Sequence, residues 1–518
     1  MSDWLIHHEL EKQARWRPTQ VALVHDDREY TYERLARRMD QLARFIQESG
    51  VEPGEYVLAH ASNHADLYSL FFACSKAGVV FSPVSRYLST DDIRFVCETL
   101  EPALLFHTDA GLVEETLESV RQNLQTVPAV SLDAYAAESR TSALDDVSDD
   151  PVETDESVTT ETIHNLFWTS GTTGRPKGVL RDHNATLHFA DPLLSQFPFA
   201  EANRRLTTND MMFAAPYLQY GLPTVTTGGT NVILRKYDPE TVCRTIESYD
   251  INTTLLVFSQ ASLLLEYLET HDSDLEIEFV HAVLPTDTIA RELAEISGTL
   301  YHIYATTEAG LPLVKHLQAP FAETPALGRP GVGADIVLVE TGETVGEALD
   351  RGDFSTGDEG ELYCRGNVTM TRFLDTGAFS GELRPEWVPT GDVVRITDDS
   401  EVVFVGRADN RIRSGGVNIY PENVETVLVR HPDIEEAVVV GVDDEKWNHR
   451  VCAVIVPSPA ADVDDEFIDD VDAFCKSHES LARSKRPRDY AIETAIEALP
   501  TSAVGKLDRA AIAKRYFE

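Results

Sequence analysis

Short apolar runs of strand length alternate with helix-period segments over most of this chain, and that alternation restricts it to a layered α/β architecture. Tyr32 to Glu48 carries Leu35, Met39, Leu42, Ala43 and Ile46 at helical spacing. Val79-Val80-Phe81 and Ala103-Leu-Leu-Phe-His107 read as short buried strands. The pattern resumes at Ile163, with strands expected at Asn231-Val-Ile-Leu234, Thr253-Thr-Leu-Leu-Val257, Phe279-Val-His-Ala-Val-Leu284 and Asp335-Ile-Val-Leu-Val339. Residues 136–162 break it. Ser, Thr, Asp and Glu dominate there, which predicts a solvated loop joining two halves of one layered domain. The chain turns polar between Val402 and Ser414, and a compact βα pattern follows, with a helix around Glu422–Arg430 and strands at Ala437–Gly441 and Val451–Val456. The expected organisation is a domain over 1–405, a linker over 406–411 and a smaller domain over 412–518.

Charge constrains the surroundings more than the reaction. The 518 residues hold 44 basic and 87 acidic side chains, a net of −43, and only 10 of the basic ones are lysine. Such a chain repels nucleic acid and anionic membrane, and in dilute buffer it repels itself. At molar salt the Debye length falls to about 3 Å and the repulsion is screened, so the composition points to a salt-loving cytosol. Hydrophobic residues make up 42% of the chain, which excludes wholesale disorder. No apolar run nears the roughly 20 residues of a membrane span, and no secretory signal opens the chain. A cytoplasmic protein is expected. Cys74, Cys97, Cys243, Cys364, Cys452 and Cys475 are scattered with no Cys-x-x-Cys, the pattern of free thiols without a structural metal.

Five short strings carry the chemistry. In Phe167-Trp-Thr-Ser-Gly-Thr-Thr-Gly-Arg-Pro-Lys-Gly178, an apolar segment enters a loop of hydroxyls, glycines and a lysine, a composition that can cradle phosphates. It is not the Walker pattern, which needs Gly-x4-Gly-Lys-Ser/Thr. Tyr304-Ala-Thr-Thr-Glu308 follows an apolar strand and offers an aromatic face, two hydroxyls and a carboxylate, suited to a base, a phosphate and Mg2+. Thr390-Gly-Asp392 reads as a tight turn that presents a carboxylate. Gly406-Arg407-Ala-Asp409 and Gly505-Lys506 complete the set. Each string alone has an ordinary reading: a flexible turn, a helix cap at Glu308, solvated charges at Arg407 and Lys506. Their order and separation make the set specific.

In that order the strings resemble the adenylate-forming superfamily, and Ser414-Gly-Gly-Val-Asn-Ile-Tyr-Pro421 with Glu445-Lys-Trp-Asn448 resembles its carboxylate–CoA ligases, particularly the fatty-acyl and aryl branches. The resemblance implies a large N-terminal domain of layered sheets plus a β-barrel, a small C-terminal α+β lid, and an active site between them. It implies ATP, Mg2+ and CoA as cofactor and co-substrates. Thr169, Ser170, Gly171, Thr172, Thr173, Gly174 and Lys177 would hold the β,γ-phosphates. Tyr304 would stack on adenine, Thr307 would contact the α-phosphate, Glu308 would hold Mg2+, and Asp392, helped by Arg407, would bind ribose. Lys506 would bridge the carboxylate and the α-phosphate as the adenylate forms, and Asp409 would be the pivot of lid rotation. Arg86, Gly415, Gly416, Trp447, Lys485 and Arg486 would face CoA, although Ser484 stands where an aromatic residue would stack on its adenine.

Departures from the family pattern bear on the acid. Pro216-Tyr-Leu-Gln-Tyr-Gly221 has Gln219 nearest the position of the family's gating His, Ala282-Val-Leu-Pro-Thr286 replaces a Gly-Gly-Ala stretch, and Ala305 stands where glycine is usual. The expected acyl pocket, Tyr217, Gln219, Val283, Leu284 and Ala305, has more side-chain volume than a long tunnel allows. A short- or medium-chain fatty acid or a compact aromatic acid is expected. Rival readings are adenylation for a carrier protein, disfavoured because no carrier domain follows Lys506, and a nucleotide- or acyl-binding relative without turnover. A homodimer is compatible with the sequence.

Overall fold

The computed structural model describes residues 4–84, 88, 90–108, 129–132, 144, 147–169, 176–197, 202–271, 274–283, 286–321, 325–352, 354–375, 385–459, 461–464, 466–478, 481–501 and 507–518. The chain divides into two compact units, Met1–Val337 with Tyr363–Thr390, and Leu338–Leu362 with Gly391–Glu518. Residues 338–362 and 391–405, expected in the larger domain, therefore pack with the smaller one.

The first unit is built on two sheets. In the nine-stranded sheet, Thr253–Val257, Ile277–Val283 and Ser297–Thr306 run parallel, and Gly310–Leu317 returns antiparallel to the last of them. Consecutive residues in these strands go to opposite faces. Leu23, Ile233, Leu255 and Ile303 join one core with the N-terminal helices, whereas Val24, Val232, Leu256 and Leu300 join another beneath the helices Pro239–Ser248, Phe258–His271 and Asp287–Glu295. The sheet is thus buried on both faces, which is why its strands read as continuous apolar runs. The seven-stranded sheet includes Tyr56–His60, Val80–Pro83, Leu104–His107, Ile163–Thr169 and Lys177–Asp182, and contributes Val57, Phe81, Phe106 and Phe167 to the first core. Tyr32–Glu48 is a helix as expected. Its Leu35, Met39, Leu42, Ala43 and Ile46 are all buried, and Thr31 caps it by accepting from the Arg34 amide.

Over its described part, 147–162, the acidic segment is a mostly exposed connector without helix or strand, as expected, and its backbone is also held by the Tyr32–Glu48 helix. Gln41 Nε2 donates to the carbonyls of Leu144 and Val147, Arg44 to those of Ser148 and Asp150, and Gln47 to that of Glu153. The Val152 amide in turn donates to Asp40 Oδ1 at 3.2 Å. One face of the Tyr32–Glu48 helix therefore grips this polar chain by its backbone.

Ala334–Val339, Glu359–Gly366, Val388–Ile396 and Val402–Arg407 form a four-stranded sheet in that order. The C-terminal part is a five-stranded α+β layer. Ile434–Asp444 and Asn448–Pro457 make a long hairpin, with Asp489–Ile492 parallel to its second strand. The helices Pro421–Leu428 and Phe467–Ser477 pack with one core of this layer and Arg509–Phe517 with the other. All six cysteines are free, and five of them are buried. Among the described residues no helix is long and apolar enough to cross a membrane.

Candidate active site

Two antiparallel strand pairs of the first unit bring Thr169 and Glu308 together. Ile163–Thr169 pairs with Lys177–Asp182, placing Thr169 opposite Lys177 at the mouth of the predicted phosphate loop. Ser170, Gly171, Thr172, Thr173 and Gly174 lie outside the described residues. Gly178 is needed for packing, because a Cβ there would come within 3.0 Å of Leu374 Cβ. In the second pair, a turn joins Ser297–Thr306 to Gly310–Leu317 at the carboxyl end of the parallel strands, where sheets of this kind bind ligands. Thr306 Oγ1 accepts from the Ala309 amide at 2.9 Å, and Gly310 takes φ +77° so close to the next segment that a Cβ would sit 2.1 Å from the Val368 carbonyl oxygen. Thr307 and Glu308 occupy the turn, half-buried. Glu308 caps no helix. Its Oε1 accepts from Thr169 Oγ1 at 3.3 Å, so the two motifs meet directly.

Tyr304 is inside the strand and 3% exposed, paired with Leu313. Of the expected acyl-pocket residues, Tyr217 belongs to the aromatic core and Val283 and Ala305 pack against that core. Tyr217 lies in a π-helical segment, Ala215–Gly221, stacked on Phe71 at 5.1 Å. Gly221 has no room for a side chain, since a Cβ would meet the Tyr68 ring at 2.4 Å. Gln219 is buried, and its amide reaches Tyr220 Oη at 3.5 Å. Leu284 lies outside the described residues, as do Arg86 and Lys506.

One residue that the sequence reading missed ties these pieces together. Arg181, four residues past Lys177, is fully buried. Its Nη1 donates to the carbonyls of Val368 at 2.8 Å and Ala185 at 3.3 Å, and its Nη2 to those of Thr307 at 2.8 Å and Glu308 at 3.3 Å. The Glu308 carbonyl also accepts from the Met370 amide at 2.8 Å. Burial brings the Arg181 pKa down to about 9, against the pull of Glu308 and Asp182, so the guanidinium remains cationic at neutral pH.

In the second unit the expected tight turn at Thr390-Gly-Asp392 is a correction. These residues lie within the strand Val388–Ile396, where Gly391 takes φ +74° and Asp392 and Val393 pair regularly with Arg407 and Gly406; the register shifts only beyond them, between Val393 and Val394. Here a Cβ on Gly391 would lie 2.7 Å from Arg407 Nη2, so the glycine makes room for the arginine. Asp392 and Arg407 are cross-strand partners, and Arg407 Nη1 donates to Asp392 Oδ1 at 2.7 Å. Arg407 is thus no isolated solvated charge. Glu361, also missed, faces the same group. Burial raises its pKa, a hydrogen bond from the Gly391 amide opposes the rise, and Asp409 adds to it. Asp409 sits at the turn after Val402–Arg407, with its carboxylate 3.8 Å from Arg407 Nη2. That turn is held from the Pro421–Leu428 helix, where Glu422 Oε1 accepts from Asn410 Nδ2 at 2.6 Å.

The expected CoA residues divide. Gly415 and Gly416 both have positive φ, +57° and +82°, and a Cβ on Gly415 would lie 2.9 Å from the Trp447 ring, so glycine permits the contact. Arg488, rather than Lys485 or Arg486, stacks on that ring at 4.2 Å, with Lys446 also over it at 4.9 Å. Lys485 and Arg486 are half-buried on the segment leading to Arg488.

Comparison with known proteins identifies the family. Residues 10–374 match the model of the AMP-binding enzyme family, and residues 423–506 that of the AMP-binding enzyme C-terminal domain. The chain is 28% identical to a feruloyl-CoA synthase of Amycolatopsis over 515 residues, covering 98% of each chain. It is also 28% identical to an indoleacetate–CoA ligase of Aromatoleum aromaticum, covering 98% of this chain and 96% of that one. Among solved structures it shares its fold with the anthranilate CoA ligase AuaEII in complex with anthranoyl-AMP, with a TM-score of 0.85 at 20% identity over 99% of this chain and 98% of that chain. Matched over most of its length, with the nucleotide motifs joined at Thr169 and Glu308, the chain belongs to the family of AMP-binding enzymes, the adenylate-forming enzymes.

Proposed function

We propose that the protein is an AMP-forming carboxylate–CoA ligase acting on a compact aromatic or a short- to medium-chain acid. The observation that carries this reading is the hydrogen bond from Thr169 to Glu308, which joins the strand before the expected phosphate loop to the turn after Ser297–Thr306. In the first half-reaction a carboxylate oxygen of the acid attacks the α-phosphorus of ATP, the bond to the β,γ-phosphates breaks, and pyrophosphate leaves. In the second, the CoA sulfur attacks the acyl carbon and AMP leaves with the carboxylate oxygen. Thr169 and Lys177 position the leaving phosphates, Thr307 the α-phosphate, Tyr304 the base, and Asp392 with Arg407 the ribose. Lys506 meets the charge that develops in the first step only, which is where a positioned cation contributes most. The carboxylate of Glu308 beside the Thr169 hydroxyl is an oxygen-only donor set of the kind Mg2+ takes, so Glu308 would hold that ion, which when bound supplies neutralisation of phosphate charge.

Free CoA as the thiol donor is supported by the relatives, a feruloyl-CoA synthase and an indoleacetate–CoA ligase. The acids named for these relatives support an aromatic acid as the substrate class. The test is acid-dependent exchange of pyrophosphate into ATP with a panel of aromatic and short-chain acids, followed by detection of AMP and thioester. It is run in molar KCl as well as in dilute buffer, because a net charge of −43 favours function at high salt. Acid-dependent exchange with thioester formation is expected. Exchange without a CoA thioester favours delivery to a carrier protein, and nucleotide binding without exchange at either salt refutes catalysis.

A further inference from the structure

We infer that Arg181 is a positioning residue for the adenylation half-reaction: from inside the core it fixes the backbone that presents Thr307 and Glu308. The inference rests on the proposed function for the identity of the reaction, and on the geometry for the role itself. A guanidinium has five N–H donors in a rigid plane. All four donors on the two terminal nitrogens of Arg181 are spent on main-chain carbonyls, those of Ala185, Val368, Thr307 and Glu308. These carbonyls belong to three separate segments: the helix His183–Leu187, the turn after Ser297–Thr306, and the strip from Gly366 to Met370. Each segment bears on the others. Val368 is what Gly310 is shaped to approach, and the Met370 amide donates to the Glu308 carbonyl.

The arginine itself is seated on the strand Lys177–Asp182, which leaves the phosphate loop. One planar cation therefore sets the distance between the strand Lys177–Asp182 and the turn that holds Glu308 and Thr307. The guanidinium stacks on Phe189 at 4.8 Å, which limits its rotation. Lysine would keep the charge but can satisfy at most three of the four carbonyls, and lacks the plane that spaces them. Arg181 touches none of the reacting atoms and acts only through Thr307 and Glu308.

The experiment compares wild type, Arg181→Lys and Arg181→Met as full chains in molar KCl. Adenylation is read as pyrophosphate exchange over a range of Mg2+ and ATP, thioester formation is read from supplied acyl-adenylate, and backbone hydrogen exchange is read without substrate. A displaced turn is expected to lower adenylation by Arg181→Lys on the order of 10–100-fold and to raise the Mg2+ needed for half-saturation. Thioester formation should stay within about twofold of wild type, and the melting temperature should be close to it. In hydrogen exchange, the Ala309 and Met370 amides should lose protection while the central strands keep theirs, and Arg181→Met should lose more. Equal loss in both half-reactions, or an Arg181→Lys variant that does not fold, makes Arg181 a framework residue and overturns the proposal, as does wild-type adenylation by the lysine variant. Hydrogen exchange separates the two readings. If Ala309 and Met370 lose protection but wild type adenylates no acid, the ligase reading fails and the positioning role stands. If their protection is unchanged, the positioning role fails whatever the activity.

Discussion

Asp392→Asn tests the proposed ribose-binding role of Asp392. The carboxylate lies inside a sheet, 6% exposed, with Arg407 Nη1 donating to its Oδ1 at 2.7 Å. That contact fixes the carboxylate, which under the proposed function is the charged acceptor for ribose hydroxyls. Asparagine keeps the volume and one acceptor, but presents an NH2 where the hydroxyls need an oxygen. Hydrogen bonds to charged groups are worth about 1.5–3 kcal/mol. At about 1.4 kcal/mol per decade, losing one such bond should raise the KM for ATP roughly 10–150-fold. Because the ribose is gripped alike before and during the reaction, kcat should fall far less, the signature of uniform binding. The assay is pyrophosphate exchange over a range of ATP with the acid saturating, alongside a melting curve. A folded variant with an unchanged KM for ATP would refute the assignment, and a collapse in kcat at constant KM would move Asp392 from binding into the chemistry.

Lys506→Ala should abolish adenylation, a loss of at least about 10²–10³-fold, while thioester formation from supplied acyl-adenylate survives; equal loss in both half-reactions contradicts the assignment. Asp409→Pro should do the reverse, because proline fixes φ near −65° at a residue that the proposal requires in two backbone settings, and normal rates in both halves would make 406–411 an ordinary linker. Arg86→Ala and Arg486→Ala should raise the KM for CoA with adenylation intact, measured as thioester formation against CoA concentration, and Arg488→Ala should do so more strongly if its stack on Trp447 orders that surface. The buried pair Arg38–Asp66, bonded at 3.0 and 2.7 Å, predicts acid sensitivity. Burial pushes the Asp66 pKa up and Arg38 more than offsets this, leaving it below its ordinary value, so the pair stabilises the fold above about pH 4 and that stability is lost as pH falls. Asp66→Asn should lower the melting temperature at pH 7 and flatten its acid dependence, since breaking such a pair costs roughly 3–5 kcal/mol.

What the sequence made legible is what repeats or clusters along it. The helix Tyr32–Glu48 announces itself by apolar spacing, and the strand Thr253–Val257 by its continuous apolar run. Thr390-Gly-Asp392 was misread because a positive-φ glycine can sit in a turn or within a strand, and only the partner strand decides between them. Arg181 was invisible for a different reason. Its partners are carbonyl oxygens, which every residue carries, so no second side chain marks the site. Arg488 was not singled out in the sequence, because its position over Trp447 depends on a pairing between strands more than thirty positions apart.

The grip of Gln41, Arg44 and Gln47 on the acidic segment has an evolutionary consequence. These donors hold main-chain oxygens at Leu144, Val147, Ser148, Asp150 and Glu153, which remain in place whatever side chain each position bears. Selection can therefore rewrite that stretch, loading it with carboxylates for a saline interior or stripping them for a dilute one, without unseating it. A library randomised over 148–153 should return many functional variants, whereas Gln41 and Arg44 should tolerate few replacements.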